Sequence, residues 1–164
     1  KGECYKKFEN LLEQKFEAEH PKQKWCTDFT YLYLKEGEKR YNCSIIDLYD
    51  KLVVATKNSD HIDAKLAVDI LRLALERNAI KEGLLLHSDQ GSQYASRIFT
   101  EYCEKNGIVQ SMSMAGCPYD NVPMESYYGT FKAELIRQNE FANDELFNEA
   151  VAEEAVKNSG SLSS

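Results

Sequence analysis

Residues 24–34 alternate between two faces: Trp25, Thr27, Phe29 and Tyr31 on one, Cys26, Asp28, Thr30 and Leu32 on the other. That period-two pattern, rich in aromatic and β-branched residues, predicts a strand. Lys35-Glu-Gly-Glu-Lys39 makes a charged turn around a central glycine. Residues 41–48 and 52–56 are two further strand candidates, separated by Tyr49-Asp-Lys51. Three strands joined by short polar turns predict an antiparallel meander. The period then changes. Asp60 is a candidate cap for a helix running to about residue 78, with Leu66, Ile70, Leu73 and Ala74 on one face. Leu84-Leu-Leu-His87 reads as a short buried strand. A helix is expected over 94–106, with Ile98, Phe99, Tyr102 and Cys103 inward and Gly107 as its stop. Ile108-Val109 opens a fifth strand, and Gly116–Asn121 is a loop. Pro123 suits the first turn of the next helix, whose apolar stripe is Met124, Tyr128, Phe131 and Leu135. A last helix covers roughly 143–157, with Leu146, Phe147, Ala150 and Val151 inside. Upstream, Tyr5, Phe8, Leu12 and Phe16 have helical spacing and predict a short amphipathic helix or an arm, ended before Pro21.

The order βββ-α-β-α-β-α-α predicts an α/β fold. Its mixed five-stranded sheet combines a three-strand antiparallel meander with two parallel strands, and helices cover both faces. At 164 residues the chain suits one domain. It divides into an N-terminal helix or arm (1–22), a core (23–157) and a polar tail (158–164) expected to be disordered. No stretch approaches the roughly 18 apolar residues of a membrane helix, and Lys1-Gly2-Glu3 does not read as a signal peptide. Five cysteines without a Cys-x-x-Cys pair suit reduced thiols in a cytoplasmic protein rather than a zinc site.

Three carboxylates carry the candidate chemistry. Asp28 lies mid-strand among apolar neighbours, where an acid either faces water at a sheet edge or is held by a partner or metal. Asp89 follows a buried strand at its C-terminal end, the position where open α/β sheets bind ligands, although it also suits the turn into the next helix. Glu125 lies in the first turns of its helix, favourable for any acid beside the helix dipole. Lys132 is seven residues on and shares its face, and is otherwise readable as an exposed lysine. Brought to one point, three carboxylates repel unless a cation bridges them. Hard oxygen ligands select Mg²⁺ or Mn²⁺, and the three histidines are scattered. Two such ions about 4 Å apart would activate a nucleophile and stabilise the leaving oxygen in phosphoryl transfer.

The blocks Trp25-Cys-Thr-Asp-Phe-Thr-Tyr31, Leu85-Leu-His-Ser-Asp-Gln-Gly-Ser-Gln-Tyr94 and Asp120-Asn-Val-Pro-Met-Glu-Ser126, extended by Phe131-Lys-Ala-Glu134, resemble the integrase core of bacterial insertion-sequence transposases. These are Asp-Asp-Glu enzymes related to retroviral integrases. The 35 residues between Asp89 and Glu125 are the family's typical spacing. The resemblance covers roughly residues 11–152. It implies a ribonuclease-H-like fold, with Asp28, Asp89 and Glu125 as catalytic ligands of two Mg²⁺ (or Mn²⁺) ions. It further implies hydrolysis at an element's DNA end, then attack of the freed 3′-hydroxyl on target DNA. Lys132 matches a residue that contacts the element end, and Tyr119 and Asn121 are candidate DNA contacts. The partners implied are DNA and further copies of the chain, as a homodimer or higher multimer.

The chain departs from the family's pattern at both ends. No helix-turn-helix segment precedes the core, and an acidic, Ser-rich stretch follows Ala152, as expected of a truncated chain or a degenerate element. The alternatives are a ribonuclease-H-type or junction-cleaving nuclease, or a non-catalytic core that dimerises. A net charge of −7 argues against a simple DNA-coating protein. Location changes that picture: residues 134–154 hold seven acids and one base, and outside them and the triad 17 acids face 19 bases. The core is therefore expected to grip DNA weakly without Mg²⁺, a second protomer or a further DNA-binding segment.

Overall fold

The computed structural model describes residues 7–138 and 144–158. Its elements are β1 (Lys24–Tyr33), β2 (Lys39–Asp47), β3 (Val53–Ser59), α1 (Ala64–Arg77), β4 (Leu85–Ser88), α2 (Ser92–Ala95), α3 (Arg97–Lys105), β5 (Val109–Met112), a 3₁₀ turn (Pro118–Asn121), α4 (Val122–Gln138) and α5 (Asp144–Asn158). The sheet order is β3-β2-β1-β4-β5. β1, β2 and β3 pair antiparallel, while β4 runs parallel to both β1 and β5. This is the mixed five-stranded sheet expected from the sequence.

Strand alternation divides the core into two layers. Trp25, Cys43, Ile45 and Leu86 face α1 and α3, packing on Ile70, Leu71, Phe99 and Cys103. Cys26, Leu32, Ile46 and Leu48 face the opposite way, onto Met124, Tyr128, Phe131 and Leu135 of α4 and Phe147 and Val151 of α5. Helices thus cover both faces, and all four expected stripe positions of α4 are buried. Among the described residues no helix is long and apolar enough to cross a membrane. The four described cysteines are free.

Several expectations change. Residues 7–23 form no helix, and Glu13 and Gln14 have positive φ (51° and 58°), which a helix does not accommodate. Phe8 packs on the α1/α3 layer while Leu12 and Phe16 pack on the α4/α5 layer, so their helical spacing does not form one stripe. Tyr5 and the tail from 159 onward lie outside the described residues. The cap of α1 is Asp63, which accepts from the Leu66 amide at 2.8 Å, whereas Asp60 bonds His61. The single helix expected over 94–106 is two, because Ser96 is extended (φ −67°, ψ 153°) and caps α3 by accepting from Phe99 N. That break turns Ile98 outward, 52% exposed, while Phe99 and Cys103 stay buried. Leu146 is likewise exposed where an inward position was expected. β3 continues to Ser59, three residues beyond the expected end, because it pairs with β2 as far as Tyr41.

Candidate active site

β4 pairs with β1 only along Lys24–Cys26, so Asp28 lies just past the last parallel pair. There β1 keeps β2 on one side (Asp28 opposite Ser44) and has an open edge on the other. The Asp28 carboxylate is partly buried, and its Oδ1 accepts from the Phe29 amide at 2.8 Å. Asp89 is the first residue after β4. Its Oδ1 accepts from Gly91 N at 2.7 Å, which holds the turn into α2. Residue 91 suits glycine, since a Cβ there would come within 2.8 Å of that same oxygen. Glu125 stands in the first turn of α4.

These three acids, from a strand, a strand end and a helix start, line one open cleft of about 370 Å³. Gln90, Asn121 and the loop at 113–117 complete it, and its lining includes no Lys, Arg or His. The electrostatic consequence falls on Asp28. Burial, the charge and hydrogen bonding of Asp89, and the charge of Glu125 together push its carboxyl up to about 7. Asp89 thus raises Asp28 through both its charge and hydrogen bonding, and Glu125 does so through its charge alone. Among the described residues no group of three His, Cys, Asp or Glu side chains already stands close enough to share a metal ion. The donor set still fits a hard divalent cation. The acidic side chains lining the cleft are carboxylates unneutralised by any base there, and two of the three stand close enough for Asp89 to raise Asp28.

The supporting structure is mostly invisible in the sequence. His87, fully buried in β4, is held below its ordinary pKa by burial, which favours the neutral ring. Its Nε2 lies 2.8 Å from the Asp120 carbonyl, an obligate acceptor, so Nε2 carries the proton. Nδ1 then accepts from Ser111 Oγ at 2.8 Å, and that oxygen in turn accepts from Leu12 N at 3.0 Å. The Asp120 carboxylate accepts from Met114 N and Gln14 Nε2, which hold its pKa below the usual range. The 3₁₀ turn leading to Glu125 is thereby clamped to β4, β5 and the N-terminal arm. The one advance signal was a buried-type strand ending in His just before Asp89. Asp47, in contrast, is structural: it accepts from Lys22 N, Tyr49 N and Trp25 Nε1.

The three expected DNA contacts separate. Asn121 lies in the cleft, 6% exposed, and neither its Nδ2 nor its Oδ1 has a hydrogen-bond partner among the described residues. Tyr119 is on the 3₁₀ turn, 72% exposed. Lys132 does not line the cleft; its Nζ sits 4.6 Å from the centre of the Tyr31 ring.

Known proteins resemble the chain in sequence and in fold. A family model described as "Integrase core domain" matches residues 18–118, a span that includes Asp28 and Asp89 and stops before Glu125. The transposase InsF for insertion sequence IS3A of Escherichia coli (strain K12) is 38% identical over 143 residues, covering 87% of this chain and 49% of that protein. The transposase for insertion sequence element IS904 of Lactococcus lactis subsp. lactis is 38% identical over 143 residues, covering 84% of this chain and 56% of that protein. The chain thus spans about half the length of the curated relatives it matches. In fold it is similar to the HTLV-2 integrase catalytic core domain in complex with magnesium (TM-score 0.66, 16% identity, 84% of each chain). It is also similar to the catalytic core domain of BIV integrase (TM-score 0.61, 16% identity, 83% of this chain and 82% of that one). The fold is ribonuclease-H-like.

Proposed function

This chain belongs to the family of integrase core domains, and from that premise we propose that it is the catalytic core of a transposase that cuts and joins DNA. The observation that carries the reading is the cleft itself: three carboxylates from three separate elements, with no basic residue among its lining. Asp28 and Asp89 would hold a divalent ion, and Glu125 would complete the set for a second. Mg²⁺ or Mn²⁺ bound there supplies a stronger nucleophile and charge to neutralise the leaving oxygen. The chain's own part is orientation. The Phe29 and Gly91 amides fix one oxygen each of Asp28 and Asp89. The unpaired Asn121 amide is suited to a phosphate oxygen, and Tyr119 and Lys132 are proposed to touch DNA beyond the cleft.

In this reading water first hydrolyses a phosphodiester at the element's end. The freed 3′-hydroxyl then attacks a target phosphodiester and displaces its 3′-oxygen. No protein nucleophile is required. We assign residues 23–157 as the catalytic unit, working as a homodimer or larger multimer. The trimeric and dimeric forms of the HTLV-2 integrase core support that assignment.

The test is calorimetric titration with Mn²⁺, followed by nicking of an element-end duplex. Metal binding is expected to need Asp28 and Asp89, and Asp89→Asn is expected to abolish metal-dependent nicking. Absence of carboxylate-dependent metal binding would overturn the reading at its first step. Parallel cleavage assays on an RNA–DNA hybrid and a four-way junction separate it from the other nucleases of this fold.

A further inference from the structure

The β1–β2 hairpin runs on past the carboxylate cleft, and β4 does not follow it. On that extension stands Tyr31, 43% exposed despite its size. Lys39 Nζ lies 4.1 Å from the centre of its ring, and Lys132 Nζ, arriving from α4, lies 4.6 Å away. The exposed Tyr33 ring meets Tyr31 edge-on at 5.7 Å, and Lys39 reaches on to Tyr41 at 5.4 Å. Arg40, beside them, is paired with Glu38 and Asp144, but neither lysine is in an ion pair among the described residues.

Two unneutralised ammonium groups over one solvent-open ring repel each other. Exposed cation–π contacts return only about 0.5–1 kcal/mol each. The arrangement complements a ligand that combines a flat π-face with negative charge on either side. A nucleotide in a single strand is such a ligand: its base stacks on an aromatic ring while lysines meet the adjoining phosphates. A paired base is a poorer fit, because its faces are already covered by its neighbours.

We propose that Tyr31, flanked by Lys39 and Lys132, is a stacking subsite for an unpaired DNA base close to the reacting phosphate. The proposal rests on the reading that the cleft acts on DNA, and adds to it a site and a register. Tyr31 is three strand residues from Asp28, about 10 Å. Lys132 is seven helical residues from Glu125, also about 10 Å. An unpaired strand spaces its nucleotides between about 3.4 Å and roughly twice that, so the stacked base lies within about three nucleotides of the phosphate in the cleft.

The experiment uses a duplex with a single-stranded tail, of either polarity, carrying 2-aminopurine at one tail position at a time, bound with Mn²⁺ present. The expected result is fluorescence quenching confined to one position, within about three nucleotides of the phosphate that the chain nicks. Tyr31→Leu is expected to abolish the quenching and weaken binding of the tailed duplex at least about fivefold. Tyr31→Phe keeps both, and Lys39→Gln keeps the quenching but flattens the salt dependence. The scan of the unaltered chain needs no variant, so a Tyr31→Leu chain that fails to fold leaves the question decidable. Quenching at no tail position, or quenching that survives Tyr31→Leu, overturns the subsite while leaving DNA cleavage intact. Failure of the unaltered chain to bind either tailed or blunt duplex overturns both readings.

Discussion

The Tyr128 hydroxyl donates a hydrogen bond to the backbone carbonyl of Asp28 at 2.7 Å. Tyr128 is one helical turn after Glu125, so the helix bearing one acid of the cleft is tied to the strand at the residue bearing another. The same hydroxyl lies 3.3 Å from the carbonyl and side-chain oxygens of Asn42, and its pKa is raised by burial. Tyr128→Phe keeps the ring packed on Phe131 and removes the hydroxyl's bonds to Asp28 and Asn42. We expect a loss of about 1 kcal/mol of stability in thermal melts. The larger effect should be on nicking, because Glu125 loses its fixed distance from Asp28, while Mn²⁺ affinity at Asp28 and Asp89 changes little. Equal losses in both assays would contradict this division of labour.

Metal binding is expected to depend on pH in a defined direction. Binding requires ionised Asp28, and in the metal-free chain that carboxyl is pushed up to about 7. Protons therefore compete with Mn²⁺ below that pH. Affinity should rise about tenfold per pH unit from pH 5 towards 7 and level off above it. Calorimetry across that range measures the slope, and a flat profile would mean that Asp28 is not a ligand.

The same shift predicts how stability varies without metal. The folded Asp28 carboxyl is raised above its ordinary value of 3.8 by burial and by Asp89. Between those pH values the folded chain binds more protons than the unfolded one, so this group's contribution is full below about 4 and is lost as pH rises through about 7. The size is on the order of 2–4 kcal/mol. Asp28→Asn should remove that decline and make the metal-free chain more stable than the unaltered one at pH 8. Added Mn²⁺ should raise the melting temperature of the unaltered chain alone. Melts at pH 5 and 8, with and without Mn²⁺, check all of these.

His87 should behave as a positioning residue rather than a ligand. His87→Leu leaves Ser111, Ser113 and the Asp120 carbonyl without their shared partner in a buried setting. Each unsatisfied group costs about 1–3 kcal/mol, so a substantial fall in melting temperature is expected. Hydrogen exchange should rise at residues 114–121, the turn that delivers Glu125. His87→Gln, which keeps a donor and an acceptor, should recover part of both; no recovery would indicate that the ring's volume matters more than its hydrogen bonds.

The positions of Asp28, Asp89 and Glu125 relative to their elements were legible in the sequence. One is mid-strand, one ends a buried strand, and one opens a helix after a Pro- and Gly-containing loop. Such features are written in a few neighbouring residues. The choice between helix and arm at 7–23, the break at Ser96 and the cap at Asp63 were not. In each case an apolar or capping residue had two local uses, and packing chose between them. Phe8, Leu12 and Phe16 had helical spacing, yet two faces of the sheet drew them apart.

By itself the sequence determined the order of strands and helices, the mixed sheet, and which carboxylates stand at element ends, because periodicity and turn chemistry act over a handful of residues. Only the tertiary structure decided which side chains meet. Tyr128 finds Asp28 across 100 positions, His87 finds the Asp120 carbonyl across 33, and Lys132 finds Tyr31 rather than the cleft. Those contacts depend on how the sheet is ordered and how the helices lie on it. Contact across a sheet face is a property of the assembled layers, to which no local run of residues is bound.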